Sequence, residues 1–558
     1  MPGSENIEVR QSGISGAGRG LFALKDFQPG DVVLAVDRPL VAELDMERLR
    51  DTCAWCFQRG ATDPQERAMS ASMGLPAGFI EVKACTGCRR ISYCSKKCQT
   101  RAWKSEHKYE CKILAPSERP DLPEAVRATI KLLGRLRAGA IKGEGTKGDD
   151  LKYILNFRPY AGGQGLEEFG RQNTKQLIDD FNMLGWAAWR YSNDPSLENE
   201  AISKGFVFNV LCNKFRLASP LDDTGLGLGF DPLICTANHS CEPNVNLVFN
   251  QPATVFRALT RIKKGDEIFM KYVDVTNPFS VRQEELKEAY YFNCQCPKCK
   301  KGAHSMEDTF SKPASELSAE YRKLADTLVK RHGSELSKFS TPANDETDQK
   351  RLAALQAEAF SVSGTLTDRK QPGVGEIRDA LKICIESGLW SWTRQPVPHL
   401  CKQLFGMYIA TGDPYQSFRL GLKMYFEIMP NVYPPKFSSD QLVHTWAMTT
   451  VTNVLCGPAN REVYEELLKS EVDLRIAYYG FLFEVHDNIS KMFGLDSPFG
   501  RVVESTYKQI MAGTKIHESE IRDRVKALWP LLETIGRSAN VLSAPEPERE
   551  AAHFSKPR

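Results

Sequence analysis

The sequence lacks any apolar run that approaches the length of a membrane span. Its first residues, Met1–Glu5, also lack the basic and then apolar pattern of a signal peptide. We therefore expect a protein of the nucleus or cytoplasm, where disulfides are rare. A large excess of one charge is absent too, because the formal net charge is only +3. Such a balance argues against binding to nucleic acid over the whole surface, although a local basic patch stays open.

Cysteine, in contrast, is abundant. The chain has 558 residues, which allows two to four domains, and 42% hydrophobic with 26% charged residues is ordinary for a soluble globular protein. Because disulfides are not expected in this setting, the 16 cysteines need another explanation. Their spacing supplies one.

Eight metal-binding side chains occur in four regularly spaced pairs. The pairs are Cys53 with Cys56, Cys85 with Cys88, Cys94 with Cys98, and His107 with Cys111. Thiolate and imidazole in fours are the ligand sets of tetrahedral zinc, so eight ligands make two closed sites. So small a segment cannot bury a core of its own, and metal binding would supply its folding free energy. Ser95 is the predicted N-cap of a helix within it.

This spacing resembles the MYND zinc finger, a protein-interaction module that binds peptides. The resemblance implies cross-braced pairing of the ligands. One zinc would be held by Cys53, Cys56, Cys94 and Cys98, and the other by Cys85, Cys88, His107 and Cys111. The gap between Cys56 and Cys85 is longer than the usual spacer of the family, so we predict an inserted loop at residues 57–84.

A second polar motif, Asn238–Asn244, reads Asn-His-Ser-Cys-Glu-Pro-Asn and cannot be the interior of a helix. Val245, Leu247 and Phe249 follow it in alternation and predict a half-buried strand. A turn rich in amides and hydroxyls, set against a strand, suits a polar ligand with many hydrogen-bonding atoms. Taken alone, the motif also fits an ordinary Asn/Pro-rich turn.

Three weaker features fit the ligand interpretation. Gly16, Gly18 and Gly20 make a glycine-rich loop that lacks the strand-before, helix-after context of a dinucleotide site and is otherwise a flexible turn. Residues 267–272 predict a strand ending at Tyr272, a position that is more often a packing residue. The segment Cys294-x-Cys296-x-x-Cys299 offers three thiolates and needs a fourth ligand, for which Cys241 is the natural candidate.

Taken in order, these motifs resemble the SET and MYND domain family of protein lysine methyltransferases over roughly residues 5–300. The finger interrupts the SET domain, as it does in that family. The resemblance implies methyl transfer from S-adenosylmethionine to a lysine of a histone or non-histone protein, and three zinc ions. The alternative is a zinc-braced adaptor that has lost catalysis and binds peptides through its finger and helical lobe. A weaker option is nucleic-acid binding through Arg89–Arg90 and Lys96–Lys97, which fit a solvated face better.

The resemblance also implies roles for matching residues. Cofactor-binding positions would be Gly18, Arg19, Gly20, Asn213, Asn238, His239, Tyr272, Tyr290 and Phe292. Asn238 and His239 would hold the amino-acid and adenine parts of the cofactor, and Tyr272 would be the catalytic residue beside the transferring methyl. Tyr290 and Phe292 would line the channel for cofactor and lysine. The third zinc would be bound by Cys241, Cys294, Cys296 and Cys299.

The C-terminal half predicts helices. Ile377, Ala380, Leu381 and Cys384 form one apolar stripe, and Ala410-x-Gly412-Asp413 is reminiscent of a tetratricopeptide turn, although no clean 34-residue period is visible. The resemblance implies a helical-repeat lobe that closes over the substrate cleft. Residues 335–350 and 541–558 are polar and predicted to be mobile. The remaining thiols predicted to be buried are Cys384, Cys401 and Cys456.

The predicted fold class is therefore α+β, with a SET-domain β-fold and an all-α, tetratricopeptide-like lobe. The predicted units are residues 5–52 for the N-terminal part of the SET domain, 53–111 for the finger, 112–273 for the rest of the SET domain, 274–303 for the post-SET zinc segment, 304–540 for the helical lobe and 541–558 for a disordered tail. We expect a monomer without membrane contact.

Overall fold

The structure is a computed structural model that describes residues 4–14, 16–60, 80–115, 121–141, 175–192, 197–219, 221, 225–343, 345–363 and 373–542. Most of the predicted insertion at 57–84, of the glycine-rich segment 138–150 and of the tail 541–558 lies outside the described residues. No described helix is both long and apolar enough to cross a membrane.

The described strands group into four small sheets. In chain order they are β1 (Ile7–Gln11), β2 (Arg19–Ala23), β3 (Val32–Val36), β4 (Val41–Leu44), β5 (Lys83–Ala84), β6 (Ser92–Tyr93), β7 (Phe215–Ala218), β8 (Gly225–Phe230), β9 (Asn238–His239), β10 (Val245–Asn250), β11 (Ala253–Ala258) and β12 (Glu267–Met270). The sheet orders are β1-β2-β12-β9, β10-β11-β3, β4-β8-β7 and β5-β6.

The described helices lie mainly in the second half of the chain. In chain order they are α1 (Lys96–Ser105), α2 (Cys111–Leu114), α3 (Glu124–Arg137), α4 (Lys175–Tyr191), α5 (Leu197–Asn213), α6 (Phe279–Tyr290), α7 (Pro297–Lys300), α8 (Ala319–His332), α9 (Glu346–Ser363), α10 (Val374–Glu386), α11 (Val397–Ala410), α12 (Pro414–Lys423), α13 (Met429–Val432), α14 (Ser439–Leu455), α15 (Arg461–Lys469), α16 (Leu474–Met492), α17 (Pro498–Gly513) and α18 (Glu518–Ser538). Between α12 and α13 the chain forms one π-helical turn, Met424–Ile428.

The first sheet joins segments that are far apart in the sequence. β12 pairs antiparallel with β2, where Ile268 faces Leu21, and parallel with β9, where Met270 faces His239. Ile268 and Leu21 are completely buried, so the apolar face of β12 fixes this register. The glycine loop before β2 and the polar motif that begins at β9 therefore lie on either side of one strand.

The third sheet depends on a close backbone approach. In β8, a Cβ built on Gly227 would lie 1.9 Å from the carbonyl oxygen of Glu43 in β4. No side chain fits at that distance, so glycine is required for β4 and β8 to pair. This pairing places β4, which precedes the finger, beside β8, which follows it, and closes the SET region around the insertion.

The C-terminal lobe contains α8–α18, most of which pack around one large core, whereas α17 packs in a second cluster. The predicted stripe of Ile377, Ala380, Leu381 and Cys384 is buried, as predicted. The turn expected at Ala410–Asp413 is also present, and it joins α11 to α12. Between them Gly412 has a φ of 74°, and the Asp413 side chain accepts a hydrogen bond from the backbone N–H of Gln416 as the N-cap of α12.

The prediction of a mobile segment at 335–350 was wrong for most of that range. Residues Gly333–Phe339 form a 3₁₀ helix and α9 begins at Glu346. Phe339 is buried against Phe360, with ring centroids 5.7 Å apart. The Phe339 carbonyl also accepts from Gln356 Nε2 at 3.1 Å. These contacts hold a stretch whose composition is otherwise polar, and a composition argument cannot detect them.

The lobe packs directly on the strand that follows the polar motif. Val248 of β10 shares a buried cluster with Phe493 and Phe499. Two amides of the same strand add hydrogen bonds, since Asn250 Nδ2 donates to the Phe493 carbonyl at 2.7 Å and Asn246 Nδ2 donates to Ser439 Oγ at 3.2 Å. The helical lobe and the SET strands therefore enclose a cleft between them.

Candidate active site

The structure brings the twelve predicted metal ligands into three groups of four. In each group the ligand atoms lie within 4.8 Å of one another. The groups are Cys53, Cys56, Cys94 and Cys98; Cys85, Cys88, His107 and Cys111; and Cys241, Cys294, Cys296 and Cys299. The first two groups have the cross-braced pairing that the resemblance implies, and Ser95 caps α1 between them by accepting from the Cys98 N–H.

The spacing and chemistry of these donors fit zinc. With Zn–S bonds of about 2.3 Å, tetrahedral geometry sets the sulfur atoms about 3.8 Å apart. The observed separations are 3.7 Å between the sulfurs of Cys56 and Cys94, and 3.5 Å between those of Cys241 and Cys299. Four protein ligands close each site, as in structural zinc centres. The three groups are three zinc sites.

A buried chain of charges connects the finger to the SET region. His107 Nδ1 lies 2.9 Å from a carboxylate oxygen of Glu110, which lies 3.3 Å from the ammonium of Lys131 in α3. That ammonium also lies 2.5 Å from Glu43 in β4. Burial opposes ionisation of Glu110, but Lys131 and His107 hold its pKa below the usual value. The carboxylate therefore orients the zinc-binding imidazole and fixes the finger on β4 and α3.

The third zinc site fastens the post-SET segment to the polar motif. Cys241 comes from that motif, and the other three ligands follow α6. Between α6 and the cysteines, Tyr291 has a φ of 63°, and the Cys294 N–H donates to Gln283 Oε1 at 2.8 Å. The chain thus changes direction at Tyr291 and brings Phe292 to the polar motif. The centroid of the Phe292 ring lies 6.2 Å from that of His239.

Tyr272 lies at the centre of an aromatic cluster. Its ring centroid is 4.8 Å from that of Tyr290, 5.4 Å from that of His239 and 6.4 Å from that of Phe292. Its hydroxyl donates to the carbonyl oxygen of Ala237 at 2.9 Å, and its own carbonyl accepts from the Tyr290 hydroxyl at 3.3 Å. Burial raises the pKa of Tyr290 to about 12, so that phenol is protonated at neutral pH.

His239 positions Tyr272 through the backbone. β12 ends at Met270 rather than at Tyr272 as predicted, because the Tyr272 N–H leaves the ladder and donates to His239 Nδ1 at 3.0 Å. Burial lowers the pKa of His239 to about 4, which keeps this ring nitrogen free to accept. The His239 side chain therefore fixes the position of the Tyr272 backbone.

Glu267, which sequence reasoning missed, joins the glycine loop to the polar motif. Asn238 Nδ2 donates to Glu267 Oε1 at 2.9 Å and to the Arg19 carbonyl at 3.0 Å. Ser12 Oγ donates to the same carboxylate at 2.8 Å. A Cβ built on Gly20 would lie 2.2 Å from Glu267 Oε1, so a larger residue there would displace the carboxylate from its present position. The alternation that points Ile268 inward sets Glu267 on the opposite face, which by itself predicts only a solvent-facing side chain.

Asn244 is a second residue that sequence reasoning left without a role. Its side chain pairs with β12 as a strand would, since Nδ2 donates to the Glu267 carbonyl and Oδ1 accepts from the Phe269 N–H, both at 2.8 Å. Its backbone N–H donates to the Phe269 carbonyl at 3.1 Å. The last residue of the motif thus continues the sheet and fixes the turn that contains Cys241.

Asn213, Tyr272 and Tyr290 line one cavity of about 1090 Å³ between the SET strands and the lobe. The Asn213 side chain donates to the Asn209 carbonyl at 2.9 Å, at the C-terminus of α5. The remaining predicted cofactor residues do not line this cavity: they are Gly18, Arg19, Gly20, Asn238, His239 and Phe292. β2 and β9, which contain most of them, flank β12 in the sheet. Tyr272 lines the cavity, and its ring also contacts His239 and Phe292, which do not line it.

A family model described as the SET domain matches residues 18–273, a span that encloses the finger. Histone-lysine N-methyltransferase Smyd1 of Mus musculus is 24% identical over 496 residues, which covers 85% of this chain and 91% of that protein. The chain therefore contains a SET domain and is similar to SET and MYND domain methyltransferases. The interrupted SET match and the two zinc groups of the finger are the features that it shares with them.

Other SET and MYND domain relatives match over the N-terminal half. Histone-lysine N-methyltransferase ASHR1 of Arabidopsis thaliana is 30% identical, over 50% of this chain and 53% of that protein. SET domain and MYND-type zinc finger protein 6 of Schizosaccharomyces pombe is 27% identical, over 52% of each chain. The chain thus spans about half the length of these two relatives. A solved SET domain of LSMT bound to lysine and AdoHcy aligns over 94% of this chain and 95% of that chain, with 11% identity and a TM-score of 0.21.

Proposed function

We propose that this protein transfers a methyl group from S-adenosylmethionine to the side-chain nitrogen of a lysine in a protein substrate, with Tyr272 as the catalytic residue. The observation that supports this most is the position of Tyr272. Its hydroxyl is fixed on the Ala237 carbonyl and its N–H on His239, and the residue lines the cavity. Transfer between two bound substrates requires that they meet in a fixed geometry, and a rigidly held polar group in the cavity wall can provide it.

S-adenosylmethionine, when bound, supplies an activated methyl whose leaving group needs no protonation. The residues proposed to hold it are Gly18, Arg19, Gly20, Asn213, Asn238, His239, Tyr272, Tyr290 and Phe292. The glycine loop suits close backbone contact, because a Cβ on Gly16 or Gly18 would meet nothing within 4 Å and both have positive φ. The Asn238 amide, held by Glu267 and the Arg19 carbonyl, has a fixed orientation beside that loop.

The cavity side suits the target lysine. A lysine nitrogen attacks only as the neutral amine, and aromatic walls that exclude water favour that form. Tyr272 and Tyr290 provide such walls, and the protonated Tyr290 phenol adds no negative charge that would stabilise an ammonium. Arginine does not suit this site, because burial cannot neutralise a guanidinium.

The test is whether the protein binds S-adenosylmethionine and passes its labelled methyl group to peptides. We expect saturable heat in a titration calorimeter and label on lysine-containing members of a peptide array. A zinc-braced adaptor would bind peptides without heat from S-adenosylmethionine and without label. That result, obtained with three zinc ions per chain, would overturn the proposal.

The Glu267 carboxylate gives a separate test of the cofactor side. Glu267→Ala removes the acceptor for Ser12 Oγ and Asn238 Nδ2, so both the glycine loop and the motif lose their common partner. We expect the Kd for S-adenosylmethionine to rise about tenfold, since a lost hydrogen bond to a charged group costs roughly 1.5–3 kcal/mol. Glu267→Gln keeps the shape and should weaken binding less. Equal Kd values for all three proteins would contradict this role.

We further propose the domain boundaries, the single-chain state and the surroundings in which the protein acts. The boundaries are those predicted above, with the finger at 53–111 and the lobe at 304–540. The finger is proposed to bind a peptide partner, and the enzyme to act as a monomer in the nucleus or cytoplasm on histone or non-histone proteins. No part of the described chain offers a helix that could span a membrane.

A further inference from the structure

The cavity beside Tyr272 has walls from both halves of the chain. Tyr272, Met270 and Val248 come from the SET side, and Phe405 and Trp446 come from the lobe. Its volume of about 1090 Å³ exceeds the size of a single lysine side chain and matches a peptide segment of several residues. The residues on either side of a target lysine would therefore lie against this wall.

The charge of this wall is strongly unbalanced. Among the described residues that line the cavity, six are Lys or Arg and one is Asp or Glu. The cations are Arg59, Lys214, Arg216, Lys271, Lys402 and Arg501, and the carboxylate is Asp440. The whole chain is nearly balanced, with 73 Lys and Arg against 70 Asp and Glu. The excess at the cavity is thus a local feature and does not reflect the average surface.

The carboxylate in the wall is already engaged. Asp440 lies 2.9 Å from the Lys402 ammonium and 3.9 Å from that of Lys271. Burial opposes its ionisation, but these two lysines hold its pKa well below the usual value, so it is charged at neutral pH. Its negative charge is thus neutralised by two cations of the wall. Asp440 is the one Asp or Glu among the described residues of the wall, so no other carboxylate there could attract a basic peptide.

Four of the cations are exposed toward solvent: Lys214, Arg216, Lys271 and Arg501. Lys214 follows Asn213 at the end of α5, Lys271 precedes Tyr272, and Arg501 lies in the first turns of α17. A cleft with one sign of charge and low-dielectric walls concentrates ligands of the opposite sign and speeds their association. We propose that the substrate of this site is an acidic segment, in which Asp or Glu residues flank the target lysine. This inference rests on the proposed methyl transfer.

Three synthetic peptides test it with the full chain. They share one central lysine and differ only in its flanks, which are Glu and Asp, Gln and Asn, or Arg. We expect kcat/KM to be about tenfold higher for the acidic peptide than for the neutral one, and lowest for the Arg peptide. The advantage of the acidic peptide should shrink as salt is added, because salt screens charges near the surface.

Reversing the charge of two wall cations tests whether the preference for the acidic peptide arises from this wall. In the double variant Lys214→Glu, Arg501→Glu the acidic peptide should lose most of its advantage. Lys526→Glu is the matched control, because Lys526 is an exposed cation on α18, away from the cavity, and should leave the preference unchanged. Zinc content and circular dichroism report whether each variant folds. If the double variant does not fold, the comparison of the three peptides with the wild-type protein tests the inference by itself.

The outcomes separate the two proposals. Equal rates for all three peptides, or faster methylation of the Arg peptide, would overturn the acidic-substrate inference and leave methyl transfer intact. If no peptide is labelled and S-adenosylmethionine gives no heat, the proposed function fails and the inference fails with it. If the acidic preference persists in the double variant but disappears in Lys526→Glu, the wall assigned here is wrong.

Discussion

Replacing Cys241 with serine is expected to lower bound zinc from three ions to two per chain and to reduce methyl transfer by at least about 100-fold. Cys241 contributes the one ligand of the third group that comes from the polar motif, and the others come from the segment after α6. Zinc is bound by the deprotonated thiolate of cysteine. A neutral serine hydroxyl is a much weaker ligand, so the site loses its fourth donor. Without that zinc, the segment that contains Tyr290 and Phe292 loses its metal link to the motif beside Tyr272.

The expected loss of folding free energy in this segment is larger than that caused by an ordinary core mutation. Zinc binding contributes roughly 10–16 kcal/mol in small zinc-folded peptides, whereas a cysteine-to-serine change in a core typically costs a few kcal/mol at most. Metal analysis of the purified protein and a labelled methyl-transfer assay measure the two consequences. Cys456→Ser is the matched control, since Cys456 is a half-buried thiol outside the three groups and should keep three zinc ions. Retention of all three ions in Cys241→Ser would contradict the ligand assignment.

The metal sites were the part of the structure that local spacing could predict. Two cysteines separated by two residues, such as Cys53 and Cys56, already have the geometry for one metal, whatever the rest of the chain does. Which pairs share an ion cannot be read from spacing, because Cys56 and Cys94 are 38 residues apart and meet only in the folded finger. That pairing came from family resemblance, and the helical stripe at Ile377–Cys384 came from periodicity.

Residues whose role depends on distant partners could not be predicted. The Ser12 hydroxyl that bonds Glu267 is 255 residues away in the sequence, and a glutamate at the start of an alternating strand is ordinarily a solvent-facing residue. Asn244 likewise acts through β12, which becomes its neighbour only when the sheet forms. The early end of β12 has the same origin, because the ladder stops where the His239 side chain replaces a backbone acceptor.

Tyr272→Phe is expected to reduce kcat by about 100-fold, while the Kd for S-adenosylmethionine changes by less than about twofold. The phenylalanine ring keeps the packing against Tyr290 and His239. The hydrogen bond to His239 Nδ1 comes from the backbone N–H of residue 272 and is also kept. Only the hydroxyl and its bond to the Ala237 carbonyl are lost, at a cost in folding of about 1 kcal/mol. The variant therefore isolates the contribution of the Tyr272 hydroxyl.

A single-turnover assay with labelled cofactor measures the chemical step, and calorimetry measures cofactor binding on the same preparation. Tyr321→Phe is the matched control, because its hydroxyl also makes one hydrogen bond, to Glu386 at 3.1 Å, in the helical lobe. That variant should lose a similar amount of stability and no activity. If Tyr272→Phe transferred the methyl group as fast as the wild type, the hydroxyl would have no part in the reaction. Catalysis would then have to come from the placement of the lysine and the exclusion of water by the aromatic walls alone.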